Sequence, residues 1–227
     1  MSIDTSLIPG WMHLASSLLL AVGMMIALRF AEWRALTAVP GRIHLLSLAV
    51  LFCLGLWSLS APVGDSLQLH LLGMTSVTLL LGWRFAMLCG SLALLALLLL
   101  QGQTLSALPV SCLLTVVIPA SVSRFVLHLL PRQQNLFFYT LGGGFIGGMT
   151  SALCVAIATG GLLALAGHAE LVQRAAESWP VLVLVLFPEG FINGMLVTAG
   201  CVFFPDAVKT FDDHFYLAAN EGAESRD

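Results

Sequence analysis

Three kinds of side chain in this 227-residue sequence could do chemistry: six histidines, eight methionines and one carboxylate set among apolar residues. Neutral imidazole is the commonest nitrogen ligand for divalent late first-row metals. His13 and His70 each stand near the start of an apolar run, so the two together at one mouth of a helix bundle would meet incoming ions. His168, in the segment GHAEL, falls at the same end, and His44, His128 and His214 fall at the other. Thioether sulfur suits Cu(I), and Met12 beside His13 with Met74 one turn after His70 supplies the makings of a soft site. Interfacial hydrogen bonding for the histidines and plain packing for the methionines stay open beside these metal readings. Glu189 stands within FPEGFINGMLV, with Asn193 one turn on. An ionisable residue at membrane depth marks a functional site by default. It can equally lock its helix to a neighbour by hydrogen bonds, for instance through Arg124, and both roles stay open.

Several chemistries are absent from the sequence. It has no GxxxxGK[ST] loop, so an ATP-driven step would need a partner subunit. It has no HExxH or GxSxG motif either, and no enzymatic activity is expected. The five cysteines are scattered singly without a CxxC pair and read as small core residues.

The elements that must carry these residues follow from composition. The chain is 59% hydrophobic and 9% charged, with a mean hydropathy of +0.97, whereas a soluble domain carries about 25% charged residues. Nine basic residues cannot build a phosphate-binding face, so no nucleic-acid partner is expected and the partner is a lipid bilayer. Spanning takes roughly 20 apolar residues as a helix. Seven apolar runs meet or approach this, at 11–28, 43–60, 67–82, 85–100, 108–130, 136–165 and 179–203, and only Arg124 and Glu189 are charged residues within them. The third and fourth are separated by Trp83 and Arg84, which predicts a tight hairpin with Gly82 ending one helix. Trp11, Trp57, Trp83 and Trp179 sit at run ends, where amphipathic rings prefer the headgroup zone.

Eight basic residues, Arg29, Arg34, Arg42, Arg84, Arg124, Arg132, Lys209 and Arg226, fall on one side of this topology, and Arg174 alone falls on the other. The positive-inside rule then predicts an N-terminus outside and a C-terminus in the cytoplasm. The expected fold is therefore all-α: a single helical transmembrane domain over 1–205 and an acidic cytoplasmic tail over 206–227, in the inner (plasma) membrane. The first residues lack the basic region of a signal peptide, and retention in the mature protein is expected. In the sixth run Gly143, Gly144, Gly147 and Gly148 form two overlaid small-xxx-small pairs, a pattern that admits close helix packing.

Two stretches carry a family resemblance. GDSLQLHLLGMTSVTLLLGWRFAMLCGSLALLALLLLQGQ, residues 64–103, resembles the central block of the cobalt and nickel uptake permeases of the CbiM/NikM type. ESWPVLVLVLFPEGFINGMLVTAGCVFFPDAV, residues 177–208, is similar to that family's last helix. The resemblance implies a seven-helix, N-out, substrate-binding component of an energy-coupling-factor transporter, energised by separate ATPase and transmembrane coupling subunits. It implies a cobalt or nickel ion as the substrate, with the sulfur-bearing residues adding copper as a further possibility, and no organic cofactor. It places His70 on the family's metal-binding histidine and Glu189 on its last-helix glutamate. The sequence departs from the family at its start. Met-His-Ile-Pro-(Asp/Glu)-Gly is replaced by MSIDTSLIPGWMH, in which Leu7 to Trp11 look like the same segment shifted inward and His13 could stand in for the missing imidazole. The paired asparagines of the fifth helix appear as Ser111 and Leu114. Two other functions remain open: a non-transporting scaffold or assembly factor that kept the fold, and a proton-coupled transporter using Glu189.

Overall fold

A computed structural model describes residues 2–3, 7–38, 41–63, 67–130, 135–177 and 179–211. Among the described residues five helices are long and apolar enough to cross a membrane: α1 (Gly10–Phe30), α5 (Trp83–Leu100), α6 (Leu105–Leu129), α7 (Leu136–Leu165) and α9 (Trp179–Phe203). The chain is thus a multi-pass membrane protein. Four shorter α-helices, α2 (Trp33–Ala38), the 17-residue apolar α3 (Arg42–Ser58), α4 (Met74–Leu81) and α8 (Ala169–Glu177), and a 3-10 turn at Pro205–Ala207 complete the set among the described residues. The outward faces of the long helices are apolar, with Leu14, Leu18 and Leu19 exposed on α1 and Leu184, Phe187 and Phe191 exposed on α9. That is the surface a helix presents to hydrocarbon, where the backbone must satisfy its own hydrogen bonds.

The run 67–82 is not the single helix expected. Leu67–Leu69 forms strand β3, which pairs antiparallel with β2 (Ala61–Val63) and with β1 (Ser2–Ile3), bringing Ser2 opposite Gln68. The alternation of Leu67, Gln68, Leu69 and His70 has the period of a strand rather than of a helix. The chain then turns at Gly73, whose φ of 65° lies in the left-handed region, and α4 begins only at Met74. With 8 residues, α4 is about 12 Å long, well under the roughly 30 Å hydrocarbon thickness. Gly82, with a φ of 81°, separates it sharply from α5.

Because α4 is short and buried from Met74 to Val77, both of its ends need partners inside the protein. Its C-terminal carbonyls find them in the segment after α9: the Lys209 N–H donates to the Leu80 carbonyl at 2.8 Å and the Thr210 hydroxyl to the Leu79 carbonyl at 2.7 Å. Residues 206–211 of the expected acidic tail therefore lie folded against the bundle, and 212–227, with His214, fall outside the described residues.

Two helices carry π-helical segments, Leu113–Val117 in α6 and Tyr139–Ile146 in α7. In α6 the wider turn precedes Pro119, whose ring would otherwise press on the carbonyl four residues earlier. In α7 it holds Gly142, Gly143 and Gly144 and ends just before Gly147. A Cβ on Gly144 would stand 2.9 Å from the Gly194 Cα of α9, and one on Gly148 would stand 3.2 Å from Asn193. Gly147 faces Thr75 of α4 and Gly143 faces Leu79 of α4 and Leu127 of α6, each at ordinary contact distance. One glycine pair thus fits α7 to α9, and the other meets α4 and α6. The largest apolar cluster lies among α1, α3, α4, α5 and α6 and contains Ala27, Trp57, Met74, Met87, Cys53, Cys89 and Cys112.

Candidate functional site

The loop from His70 to Gly73 ends on the N-terminus of α4, where orphan backbone N–H groups accumulate and no side chain of α4 itself caps them. The caps come from α9. Glu189 accepts the Leu72 N–H at 2.6 Å on Oε2 and the Gly73 N–H at 2.8 Å on Oε1. One turn later Asn193 accepts the Ser76 N–H at 2.7 Å on Oδ1, while its Nδ2 donates to Glu189 Oε1 and to the Glu189 carbonyl, both at 2.7 Å. Both side chains are buried, at 1% and 0% exposure, so each bond forms away from water. A carboxylate aimed at a helix N-terminus also meets the positive end of its dipole.

Two further bonds close the loop. Trp57 Nε1 of α3 donates to the Leu72 carbonyl at 2.9 Å, and the Ser76 hydroxyl donates to the Gly73 carbonyl at 2.7 Å. Trp57 was expected in the headgroup zone, yet at 1% exposure it is core. Its indole N–H has a carbonyl to bond, which is what permits a tryptophan to be buried. Below the cap, Thr75 of α4 meets Ser123 of α6 at 2.7 Å and Ser151 of α7 at 3.0 Å, a hydroxyl cluster tying α4 to two long helices.

His70 begins this loop, with its ring centroid 6.1 Å from that of Trp57. Its Nδ1–H donates to the Leu71 carbonyl at 3.1 Å. That bond selects the tautomer in which Nε2 carries the lone pair, the arrangement by which second-shell contacts prepare a histidine for a metal.

The other candidate residues are carried by other elements. His13 is half-buried in the first turns of α1, a helix that packs mainly on α5 and α6, while α4 packs on α5, α6, α7 and α9. Met12 belongs to an apolar cluster with Ile8, Val110, Leu114 and Leu163, and Met74 to a separate core cluster with Trp57, Met87 and Ala27. The two thioethers are packing residues in different places. His168 Nε2 lies 2.8 Å from the Leu7 carbonyl, a contact that ties the α7–α8 turn to the chain before α1. Arg124 is exposed and does not meet Glu189. It lines a cavity near the C-terminal end of α4 instead. Among the described residues no group of three or more His, Cys, Asp or Glu side chains converges.

Sequence reasoning singled out Glu189 and Asn193 but missed what they hold. Their partners are backbone N–H groups 116 or 117 positions away, which leave no trace in residue type.

Residues 3–207 match the family model CbiM, described as the cobalt uptake substrate-specific transmembrane region. Among solved structures, a truncated transition metal transporter aligns with a TM-score of 0.67 at 16% identity, covering 91% of this chain and 99% of its own. A second transition metal transporter aligns with a TM-score of 0.64 at 15% identity over the whole of both chains. No curated protein matches the sequence.

Proposed function

The chain belongs to the CbiM family of cobalt uptake transmembrane components, a family of transporters and not of enzymes, and from that premise we propose that it receives a cobalt or nickel ion as substrate at His70. The observation that carries this reading is the clamp of Glu189 and Asn193 on the loop that presents His70. A ligand must be held in place before the ion arrives if its ordering is not to consume binding energy. His70 offers Nε2, and His13 on α1 is the second imidazole we assign to the ion. Glu189 serves as a positioning residue, with both oxygens engaged by N–H donors.

The same reading has the chain cross the plasma membrane seven times. The strand β3, the His70 loop and α4 together make one crossing that none could make alone, and α3 makes another. The N-terminus lies outside, and the cations near the C-terminal end of α4 face the cytoplasm. Energy comes from separate ATPase and transmembrane coupling subunits, since the chain lacks a phosphate-binding loop. Proton-coupled transport through Glu189 is disfavoured by the three donors that already occupy its carboxylate. The purified protein, loaded with cobalt or nickel and freed of excess ion, should retain metal that a His70→Ala variant does not. Reconstituted flux that needs a proton gradient, and is lost in Glu189→Gln while metal retention persists, would favour the proton-coupled reading instead.

A further inference from the structure

At the opposite end of α4 from His70 lies a cavity of about 380 Å³, more than ten times the roughly 30 Å³ share of a water molecule. Among the described residues, Arg42, Arg84, Arg124 and Lys209 line it, against the single carboxylate Glu32. Glu32 is already held by Lys209 at 2.5 Å and by Arg84 at 3.5 Å. Arg124 has no hydrogen-bond or ion-pair partner among the described residues. The first turn of the 18-residue helix α5 also borders the cavity, and no side chain caps it. This end of the bundle therefore holds an excess of positive charge around an open volume. Its surroundings are greasy: Phe30, Trp33 and Phe125, each within two residues of a lining residue, are exposed.

We propose that this cavity binds the phosphate of an anionic phospholipid headgroup, with the acyl chains lying along the exposed aromatic side chains of α1, α2 and α6. Arg124 and Arg42 contact the phosphate oxygens, and Trp83, whose Nε1 donates to the Ser121 hydroxyl at 3.2 Å, sets the level of the headgroup. The greasy surround selects a lipid over free phosphate, and the charge selects an anionic headgroup over a zwitterionic one.

The test uses the full chain in nanodiscs of equal parts phosphatidylglycerol and phosphatidylcholine, with bound lipid counted by native mass spectrometry. Wild type should retain phosphatidylglycerol selectively. At about 1 kcal/mol for each cation near a membrane surface, Arg124→Gln should lower that selectivity about 5-fold and the Arg42→Gln/Arg124→Gln pair about 30-fold. Arg124→Lys should largely restore it, and Arg174→Gln on α8 should leave it unchanged. Thermal unfolding of each variant separates lost binding from lost folding. Equal selectivity in wild type and the double variant would overturn the proposal. Displacement of phosphatidylglycerol by inorganic phosphate would move the site to free phosphate. Loss of binding to a purified coupling subunit, with lipid selectivity intact, would assign the cavity to an acidic protein partner.

Discussion

Replacing Glu189 by glutamine removes one acceptor from beneath the loop that carries His70. The carboxylate takes three hydrogen bonds, two on Oε1 from Gly73 and Asn193 and one on Oε2 from Leu72. A glutamine best places its oxygen at the Oε1 position, where it keeps two of them, and its amide NH2 then faces the Leu72 N–H, donor against donor. An orphaned buried donor costs about 1–3 kcal/mol, which corresponds to a factor of roughly 5–150 in the local opening equilibrium. Glu189→Ala would orphan both backbone N–H groups, at about 2–6 kcal/mol, a large share of a typical total stability of 5–15 kcal/mol. The glutamine variant is therefore the informative one. Amide hydrogen exchange in detergent should show protection at Leu72 falling by that factor while Gly73 stays protected. Cobalt or nickel affinity should fall about 10–100-fold, the usual effect of removing the group that orients a metal ligand. Unchanged protection at Leu72 would refute the hydrogen-bond reasoning, and unchanged metal affinity alongside lost protection would refute the link from clamp to site.

Trp57→Phe keeps the buried ring but loses the bond to the Leu72 carbonyl, so it should lower stability by about 1–2 kcal/mol and weaken metal retention in titration calorimetry. Gly144→Ala drives a methyl to 2.9 Å from a backbone Cα and should cost about 1–3 kcal/mol in thermal or denaturant unfolding, whereas Gly143→Ala meets only side chains at 3.5 Å and should be tolerated. The Glu32 carboxyl is held below its usual range, first by its hydrogen bond to Lys209. A lowered carboxylate contributes stability above its unfolded pKa and loses it only as pH falls through the lower folded value. The charge of the cavity should thus be constant from pH 8 to about pH 5, and so should phospholipid selectivity, since Asp and Glu titrate near 4. A step in selectivity between those limits would contradict the assignment.

Hydropathy made the long helices legible because it is a local property: an apolar run flanked by charge forms a spanning helix almost regardless of its neighbours. It failed over 67–82 for the same reason. A strand, a loop and a short helix buried against α9 need as many apolar residues as a helix exposed to lipid, and only the two-residue alternation from Leu67 to His70 told them apart. Glu189 stood out as a carboxylate among apolar residues, but its task was hidden, since the groups it serves are main-chain amides on the far side of the sequence. The run-end position of Trp57 suggested a headgroup anchor; the Leu72 carbonyl, which no residue type announces, gives its N–H a buried partner instead. Arg124 likewise was legible as an exception but not in its surroundings. The cavity it lines gathers residues from five separate segments.

The most direct measurement is the metal content of the purified chain. After loading with cobalt or nickel and removal of free ion, elemental analysis should find stoichiometric metal on wild type and only background on His70→Ala, with both proteins unfolding at similar temperatures. Wild-type protein that holds no more metal than His70→Ala would contradict the account at its centre.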